Sequence, residues 1–412
     1  MQALTFSSAS GKATLEQGRP IPVPGPGEVL VKVLRAGICS TDLEICRGYV
    51  PGFHGVLGHE FVGVVAAQGP PLEAPAATTA NGDAGLQGGP SQEPLAIGMR
   101  VVGEINCNDT HFTCADAIFQ RNHAPGRTVL GIIGRDGCLA PYVTLPAACL
   151  HAVPPALADQ EAVFAEPLAA ACRIPEQGLP RRPESDRVAV IGDGKLGLLV
   201  AQVLVRTVEA AGGPPLVMLG RHTDKMALVQ GQAERVVLDG SDSPPLLERL
   251  AGSFDLVVEA SGSAAGIRTA LALCRPLGTI LLKSTVSTTQ HTQQQSDQQQ
   301  AEEGAEKLQT ADGNCTTQHA KGEGAATATA SSCCAAPLWA EIANDIVVNE
   351  KVLVGSRCGP FDVALGLMER DAAVRQLLRY MISAELPLER GEEALALAAT
   401  RGVLKVQLVM PE

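Results

Sequence analysis

The stretch Val188-Ala-Val-Ile-Gly-Asp-Gly-Lys-Leu-Gly197 decides the fold. Its four apolar residues predict a short buried strand, and the spacing of apolar side chains from Leu196 to Val208 predicts a helix directly after it. A G-x-G-x-x-G pattern alone is a weak signal, and a glycine-rich turn of some other α/β protein is the alternative. Between a strand and a helix, however, the pattern is typical of a dinucleotide-binding loop.

The three glycines and their neighbours have separate expected roles. Gly192 permits the tight turn, Gly194 lets the backbone approach a pyrophosphate, and Gly197 lets helix and strand pack closely. The amino terminus of the helix then faces the phosphate charge. We therefore predict that this loop, with Lys195 and Leu196 inside it, binds a dinucleotide cofactor.

Further apolar strand candidates follow the loop, with helical stretches between several of them. They are 216–219, 235–238, 256–259, 279–282 and 352–354. This alternation predicts an α/β fold with a Rossmann-type, doubly wound parallel sheet. Residues 1–68 instead show short apolar runs broken by Gly and Pro, which predicts a β-rich first domain.

Two segments interrupt these patterns. Residues 69–97 are rich in Pro, Ala, Gly and Gln and predict a surface loop insertion. Residues 287–336 carry Gln tracts and then Ala, Thr and Ser, a low-complexity composition for which disorder is the default expectation. The cysteines 315, 333 and 334 lack spaced partner ligands, so metal binding there is not expected.

The end of the second predicted strand bears on the choice of cofactor. An NAD site usually has Asp or Glu there to bind the ribose 2′-hydroxyl. This chain instead has Gly220, followed by Arg221 and His222, with Lys225 close by. A missing carboxylate together with local positive charge suits a 2′-phosphate. The sequence thus predicts NADP, with NAD as the other possibility.

Three short motifs carry side chains that can bind a metal. Two of them lie in the first domain, and the third lies before the dinucleotide-binding loop. The motifs are Gly37-Ile-Cys39-Ser-Thr41-Asp42, Gly58-His59-Glu60-Phe-Val-Gly63 and Ala165-Glu166-Pro-Leu. Thiolate, imidazole and carboxylate are good zinc ligands, and a catalytic zinc uses three of them plus an open position. A lone buried cysteine or histidine is usually structural, but their combination with a nicotinamide site favours catalysis.

These motifs resemble those of the zinc-containing medium-chain dehydrogenase/reductase family, in particular its sorbitol, glucose and threonine dehydrogenase-like branch. The resemblance covers nearly all of the chain outside 70–97 and 287–336. It implies a GroES-like catalytic domain over 1–157, a Rossmann domain over 158–362 and a return to the catalytic domain over 363–412.

The resemblance also implies roles for individual residues. Cys39 and His59 would bind zinc, Glu60 would be an exchangeable ligand, and Glu166 would hold the third protein position directly or through water. Thr41 would pass the proton of the substrate hydroxyl toward solvent. Asp42 would orient the His59 ring, and Cys172 is a rival third ligand.

A second, structural zinc is doubtful. Relatives hold it with four closely spaced cysteines, but Ala124 stands here where the last one is expected. A mixed site remains possible, as does a lobe that has lost its metal; its candidate ligands are Cys107, His111, Cys114 and His123.

The overall composition narrows the function further. The 412 residues are 45% hydrophobic and only 3% aromatic, with a net charge of −12. An acidic protein repels phosphate backbones, which argues against nucleic acid as a partner. No apolar run reaches the length of a membrane span. The expected protein is cytoplasmic and, by resemblance, a homo-oligomer (dimer or tetramer).

The motifs together predict a zinc-dependent oxidoreductase that transfers a hydride between an alcohol, polyol or sugar and NAD(P). Two alternatives stay open: a catalytically idle dehydrogenase-like scaffold, and a zinc-free quinone or enoyl reductase on the same fold.

Overall fold

The computed structural model describes residues 1–72, 95–108, 114–238, 243–285 and 335–411. Most of the predicted 69–97 loop and nearly all of the 287–336 insertion lie outside these ranges. Among the helices that the model describes, none is long and apolar enough to cross a bilayer.

The first part of the chain is rich in β-structure, as predicted. Its strands are β1 (Ala3–Ser7), β2 (Lys12–Glu16), β3 (Glu28–Ile38), β4 (His54–Val56), β5 (Glu60–Gln68), β6 (Arg100–Gly103), β7 (Asn106–Cys107), β8 (Thr128–Leu130), β9 (Gly134–Arg135), β10 (Tyr142–Pro146) and β11 (Leu150–Ala152). Its helices are α1 (Ser40–Cys46), α2 (Ala117–His123) and α3 (Asp159–Ala162), with a 3₁₀ turn at Ala147–Cys149.

Strand β3 is the centre of this part. It pairs with β5, β10 and a strand from the carboxyl-terminal end of the chain, and its side chains alternate between the core and more accessible positions along much of its length. Its register with β5 sets Gly37 opposite Glu60 and Ala36 opposite Phe61. The last residue of β3 therefore leads into Cys39 beside the first residue of β5, which follows His59.

A six-stranded parallel sheet forms the second part and confirms the predicted fold class. The strands are β12 (Val188–Ile191), β13 (Leu216–Gly220), β14 (Ala233–Val237), β15 (Phe254–Glu259), β16 (Cys274–Leu282) and β17 (Val352–Gly355), in the order β14-β13-β12-β15-β16-β17. The helices of this part are α4 (Ala165–Glu176), α5 (Lys195–Ala210), α6 (Thr223–Met226), α7 (Ser243–Leu250), α8 (Ala264–Leu273) and α9 (Ala335–Asn349).

The strand order reverses between β12 and its two neighbours β13 and β15, which is the switch point where doubly wound sheets bind dinucleotides. The predicted strands and the predicted helix after the glycine loop are all present, with bounds that differ by a few residues. The largest core cluster joins α4 and α5 to Val62 of β5 and Val102 of β6, so the two parts pack on each other.

The end of the chain returns to the first part. Its elements are α10 (Phe361–Arg370), α11 (Ala372–Met381), β18 (Ile382–Pro387), a 3₁₀ turn at Leu388–Arg390, α12 (Gly391–Ala398) and β19 (Lys405–Val409). Strand β19 pairs antiparallel with β3, with Val406 opposite Ile38. Lys405, the first residue of β19, is thereby brought to the end of β3 where Cys39 follows.

Candidate functional site

The structure brings the cysteine and histidine motifs together. The ligand atoms of Cys39, His59 and Glu60 all lie within 4.8 Å of one another. His59 and Glu60 are buried, with 3% and 1% of their surfaces exposed. Among the described residues this is the one group of three or more potential metal ligands at such distances.

Asp42 holds the two motifs in place. Cys39 caps the amino end of α1, and the Cys39 amide donates to Asp42 Oδ2 at 2.8 Å. The Gly58 amide donates to Asp42 Oδ1 at 3.0 Å, and the same oxygen lies 3.4 Å from Nδ1 of His59. A single buried carboxylate thus sets the loop before Cys39, the loop before His59 and the imidazole ring.

The segment from Gly131 to Leu139 packs closely against Gly58, the residue before His59. Gly58 has φ +94°, and a Cβ there would lie 2.5 Å from Leu139 Cγ. Gly131 and Gly137 both approach the Gly58 carbonyl so closely that neither has room for a side chain. This packing explains the glycines at 131–137 and requires no catalytic role for them.

The donor set fits a zinc ion. Glu60 Oε1 is buried and accepts no hydrogen bond from any described residue, whereas Nδ1 of His59 faces Asp42 and leaves the other ring nitrogen for a ligand. Burial lowers the pKa of His59, but the neighbouring Asp42 and Cys39 outweigh it and place that pKa well above its usual value. A divalent cation would satisfy this excess of negative charge, and Cys, His and carboxylate donors are those zinc prefers.

A buried lysine that the motifs did not reveal completes the charge balance. Lys405 Nζ forms an ion pair with Glu60 Oε2 and lies 5.6 Å from the ring centroid of Phe164. Gly37 makes room for this arrangement, because a Cβ there would lie 2.5 Å from Glu60 Oε2. The sequence signal was a lysine within the otherwise apolar run Val403-Leu-Lys-Val.

Glu166 and Cys172 both lie on α4 but are not in the group. Glu166 is half-buried, and its charge interacts with those of His59 and Glu60; burial raises its pKa. Cys172 is buried beside Arg121 and Pro360, and burial raises its pKa to about 12. The geometry therefore favours Glu60 over either residue as the third ligand and leaves Glu166 nearby.

Thr41 lies at the mouth of the same group. Its Oγ1 is 3.7 Å from Sγ of Cys39, and the residue is partly exposed. The hydroxyl can therefore reach both the ligand cluster and solvent.

The glycine loop forms a cradle at the switch point. Gly192 has φ +114°, and a Cβ there would lie 2.9 Å from the Ala260 carbonyl carbon and the Ser261 nitrogen. A Cβ on Gly197 would collide with the Gly192 carbonyl, whereas one on Gly194 would meet nothing within 4 Å. Gly194 caps α5 without a side-chain hydrogen bond. The free amides of the helix and the open face at Gly194 fit a pyrophosphate.

Lys195 links the cradle to the metal-ligand group. It is half-buried, as is Leu196, and it lies close enough to interact with the charges of Lys405, Cys39 and Glu60. Burial, followed by the charge of Lys405, lowers its pKa. The cradle and the metal-ligand group are therefore neighbours.

Lys283 directly follows β16, so it lies at the carboxyl-terminal edge of the parallel sheet, as the glycine loop does. Its Nζ donates to Ser356 Oγ at 3.0 Å and to the Arg357 carbonyl at 2.7 Å. Burial lowers its pKa to about 8. Lys283 thereby holds the turn that follows β17, a role that no motif in the sequence indicated.

At the end of β13, the structure places Gly220 against Asp193 of the glycine loop. Arg221 is exposed, and His222 and Lys225 are half-buried. The Asp193 carboxylate accepts hydrogen bonds from the amides of Arg221 and His222 and from the His222 ring.

The region considered for a second zinc gives no second group among the described residues. Cys107 is buried and hydrogen-bonded to Cys149, which lowers the pKa of Cys107. Cys114 is half-buried and His123 is exposed on α2. His111 lies outside the described ranges, so the mixed-ligand site stays untested.

Comparisons with known proteins agree with these features. A family model for the alcohol dehydrogenase GroES-like domain matches residues 25–155. The chain is 30% identical over 301 residues to glucose 1-dehydrogenase of Halobacterium salinarum, covering 68% of this chain and 76% of that protein. It is 34% identical over 208 residues to the starvation-sensing protein RspB of Escherichia coli, covering 50% of this chain and 53% of that protein.

Among solved structures, glucose dehydrogenase of Haloferax mediterranei in complex with NADP, Zn and gluconolactone superimposes with a TM-score of 0.67. The match covers all of both chains at 21% identity, and it shows that the fold is shared.

We expect Asp42→Asn to weaken zinc binding by about 10- to 100-fold, since it removes the charge that orients a ligand histidine. Competition with a chelator measures the affinity. Asp136→Asn is the matched control: Asp136 also accepts a backbone amide, from Val56 at 2.8 Å, but its side chain is 52% exposed and pairs with Arg19 instead of His59. Equal zinc affinity in Asp42→Asn and the wild type would contradict the role of Asp42.

Proposed function

This chain belongs to the zinc-containing medium-chain dehydrogenase/reductase family, and we propose that it is a zinc-dependent oxidoreductase that transfers a hydride between a small alcohol, polyol or sugar and a nicotinamide dinucleotide. The observation that carries the proposal is the proximity of two sites. The Cys39–His59–Glu60 group lies near the glycine cradle, because Lys195 of the cradle is close enough to interact with the charges of Cys39 and Glu60.

The residues of the site would have two roles, which are metal binding and cofactor binding. Cys39, His59 and Glu60 would hold the metal, and Glu166 would reach it through water or by exchange with Glu60. When bound, zinc supplies a Lewis acid for the substrate oxygen, and the nicotinamide supplies the hydride acceptor or donor. The loop from Gly192 to Gly197 would hold the pyrophosphate.

Thr41 would move the proton of the substrate hydroxyl. Its hydroxyl lies beside the Cys39 sulfur and is partly exposed, so it can accept a proton from the cleft and donate its own outward. Lys405 would hold Glu60 through their ion pair, and Asp42 would keep the imidazole ring oriented.

Both alternative functions are disfavoured by specific features. An idle scaffold has no need to gather a thiol, a buried imidazole and a buried carboxylate in one place, because burying charge is costly. A zinc-free reductase would leave the buried Glu60 Oε1 without a partner among the described residues.

The cofactor proposal is NADP ahead of NAD. Gly220 offers no carboxylate of its own, and Arg221, His222 and Lys225 follow it. The substrate class is proposed from the family resemblance and from the glucose 1-dehydrogenase relative, and the setting is proposed to be the cytoplasm.

Zinc content and turnover should be lost together. We expect wild-type protein to contain one zinc per chain, and Cys39→Ser or His59→Ala to lose it together with at least about a thousandfold of kcat/KM, several kcal/mol of transition-state stabilisation. A coupled assay with a panel of alcohols, polyols and sugars, alongside metal analysis, measures both.

Cys46→Ser is the matched control, because Cys46 is a thiol of the same helix α1 outside the ligand group. It should keep zinc and activity. Full turnover by a zinc-free Cys39→Ser variant would refute the zinc mechanism.

We expect kcat/KM to be higher with NADP than with NAD, and Arg221→Ala to lower the value for NADP selectively, because a cation near a 2′-phosphate is lost. Arg181→Ala is the control: Arg181 is an exposed arginine beside the amino-terminal end of β15, across the sheet from the cradle. A clear NAD preference of the wild type would contradict the proposal.

The family resemblance also supports a homo-oligomer, dimer or tetramer, with a small molecule as its substrate. Sedimentation equilibrium on the full chain should give two or four times the mass of one chain, 42.7 kDa. A monomer at micromolar concentration would contradict this.

A further inference from the structure

The end of strand β13 is not as free of negative charge as its glycine suggests. A Cβ on Gly220 would lie 2.7 Å from Asp193 Cβ and 2.9 Å from Asp193 Oδ2. The side chain of Asp193, from the first variable position of the glycine loop, therefore fills the space that a side chain at position 220 would occupy.

The carboxylate of Asp193 is held there by one of its oxygens. Oδ2 accepts from the Arg221 amide at 2.8 Å, the His222 amide at 2.6 Å and His222 Nδ1 at 2.9 Å. Oδ1 accepts no hydrogen bond from any described residue, and the side chain remains 11% exposed. One oxygen is thus committed to the protein, and the other is available to a ligand.

Asp193 is ionised at neutral pH. Burial raises its pKa, but the hydrogen bonds from the His222 ring and the two amides outweigh burial and lower it below the usual value. A charged carboxylate therefore lies at the strand end that faces the adenosine ribose in doubly wound dinucleotide sites.

We propose that Asp193 sets how this site discriminates NAD from NADP: its carboxylate, supplied by the glycine loop, replaces the acidic residue that NAD sites carry at the end of the second strand, and Oδ1 accepts the ribose 2′-hydroxyl of NAD. The proposal rests on the proposed function as a nicotinamide-dependent enzyme.

The same carboxylate opposes a 2′-phosphate, since like charges at contact distance repel. The side-chain cations of Arg221 and Lys225 would offset that repulsion. The site therefore uses both cofactors, and Asp193 limits the preference for NADP that the surrounding cations create.

The test is direct binding of the reduced cofactors, which requires neither substrate nor zinc. Quenching of protein fluorescence or enhancement of nicotinamide fluorescence gives Kd for NADH and for NADPH. We expect Asp193→Asn to raise Kd for NADH about tenfold, the loss of one charged hydrogen-bond acceptor, and to leave Kd for NADPH unchanged or lower.

Asp224→Asn is the matched control. Asp224 is an exposed carboxylate two residues after His222, in the first turn of α6. It removes the same charge from the same region without touching the strand end, so the ratio of the two Kd values should shift by less than twofold.

Moving the carboxylate from position 193 to position 220 distinguishes loss of the carboxylate from a general disturbance of the loop. Gly220 does not have a left-handed φ, so only the space taken by Asp193 limits a side chain there. Asp193→Gly alone should weaken NADH binding, and Asp193→Gly combined with Gly220→Asp should restore it, because the carboxylate returns to the same place from the strand.

The binding data distinguish failure of the proposed function from failure of the role proposed for Asp193. Wild type that binds neither cofactor would overturn the proposed function and this inference with it. Wild type that binds both, with equal losses for NADH and NADPH in Asp193→Asn and no restoration by the relocated carboxylate, would overturn only the role of Asp193.

Discussion

The ion pair between Glu60 and Lys405 is the interaction on which the rest of the site depends. The two residues are 1% and 2% exposed and lie 345 positions apart in sequence. Removing two charges from water costs several kcal/mol each, and only close pairing with further polar contacts offsets that cost. Strands β5 and β19 must therefore both be in register with β3 before the site can form. The carboxyl-terminal return is thus a structural part of the metal-ligand group.

The pair also compensates the charge of Glu60 in the core. A carboxylate buried without a partner costs several kcal/mol of desolvation, which close contact with a lysine offsets. Lys405 engages Oε2 only, which leaves Oε1 without a partner beside Cys39 and His59. The lysine and the metal proposed here therefore act on different oxygens of one side chain. Lys195, whose charge interacts with the same group, extends this balance of charges toward the cofactor cradle.

The sequence predicted those features that local patterns determine. Strands such as Val188–Ile191 are continuous apolar runs that the sequence shows directly. The cysteine and histidine motifs meet because β3 and β5 are antiparallel neighbours in one sheet. It did not predict Lys405 or the preference of the geometry for Glu60 over Glu166. Both depend on long-range packing, including the missing Cβ of Gly37 and the return of β19 to β3. No periodicity in the sequence encodes that.

Gly220 shows that the lack of an acidic residue at the end of β13 does not mean that this place lacks a negative charge. The sequence reads a glycine at the strand end as a missing carboxylate, yet that glycine is what gives Asp193 room to enter from the neighbouring loop. Glu60 and Asp193 then share one design: each commits one oxygen to fixed donors of the protein and leaves the other without a partner among the described residues. Fixing one oxygen sets the direction of the other, which lowers the conformational cost of binding. A carboxylate is therefore best identified as a ligand-binding group by which of its oxygens the fold has already satisfied.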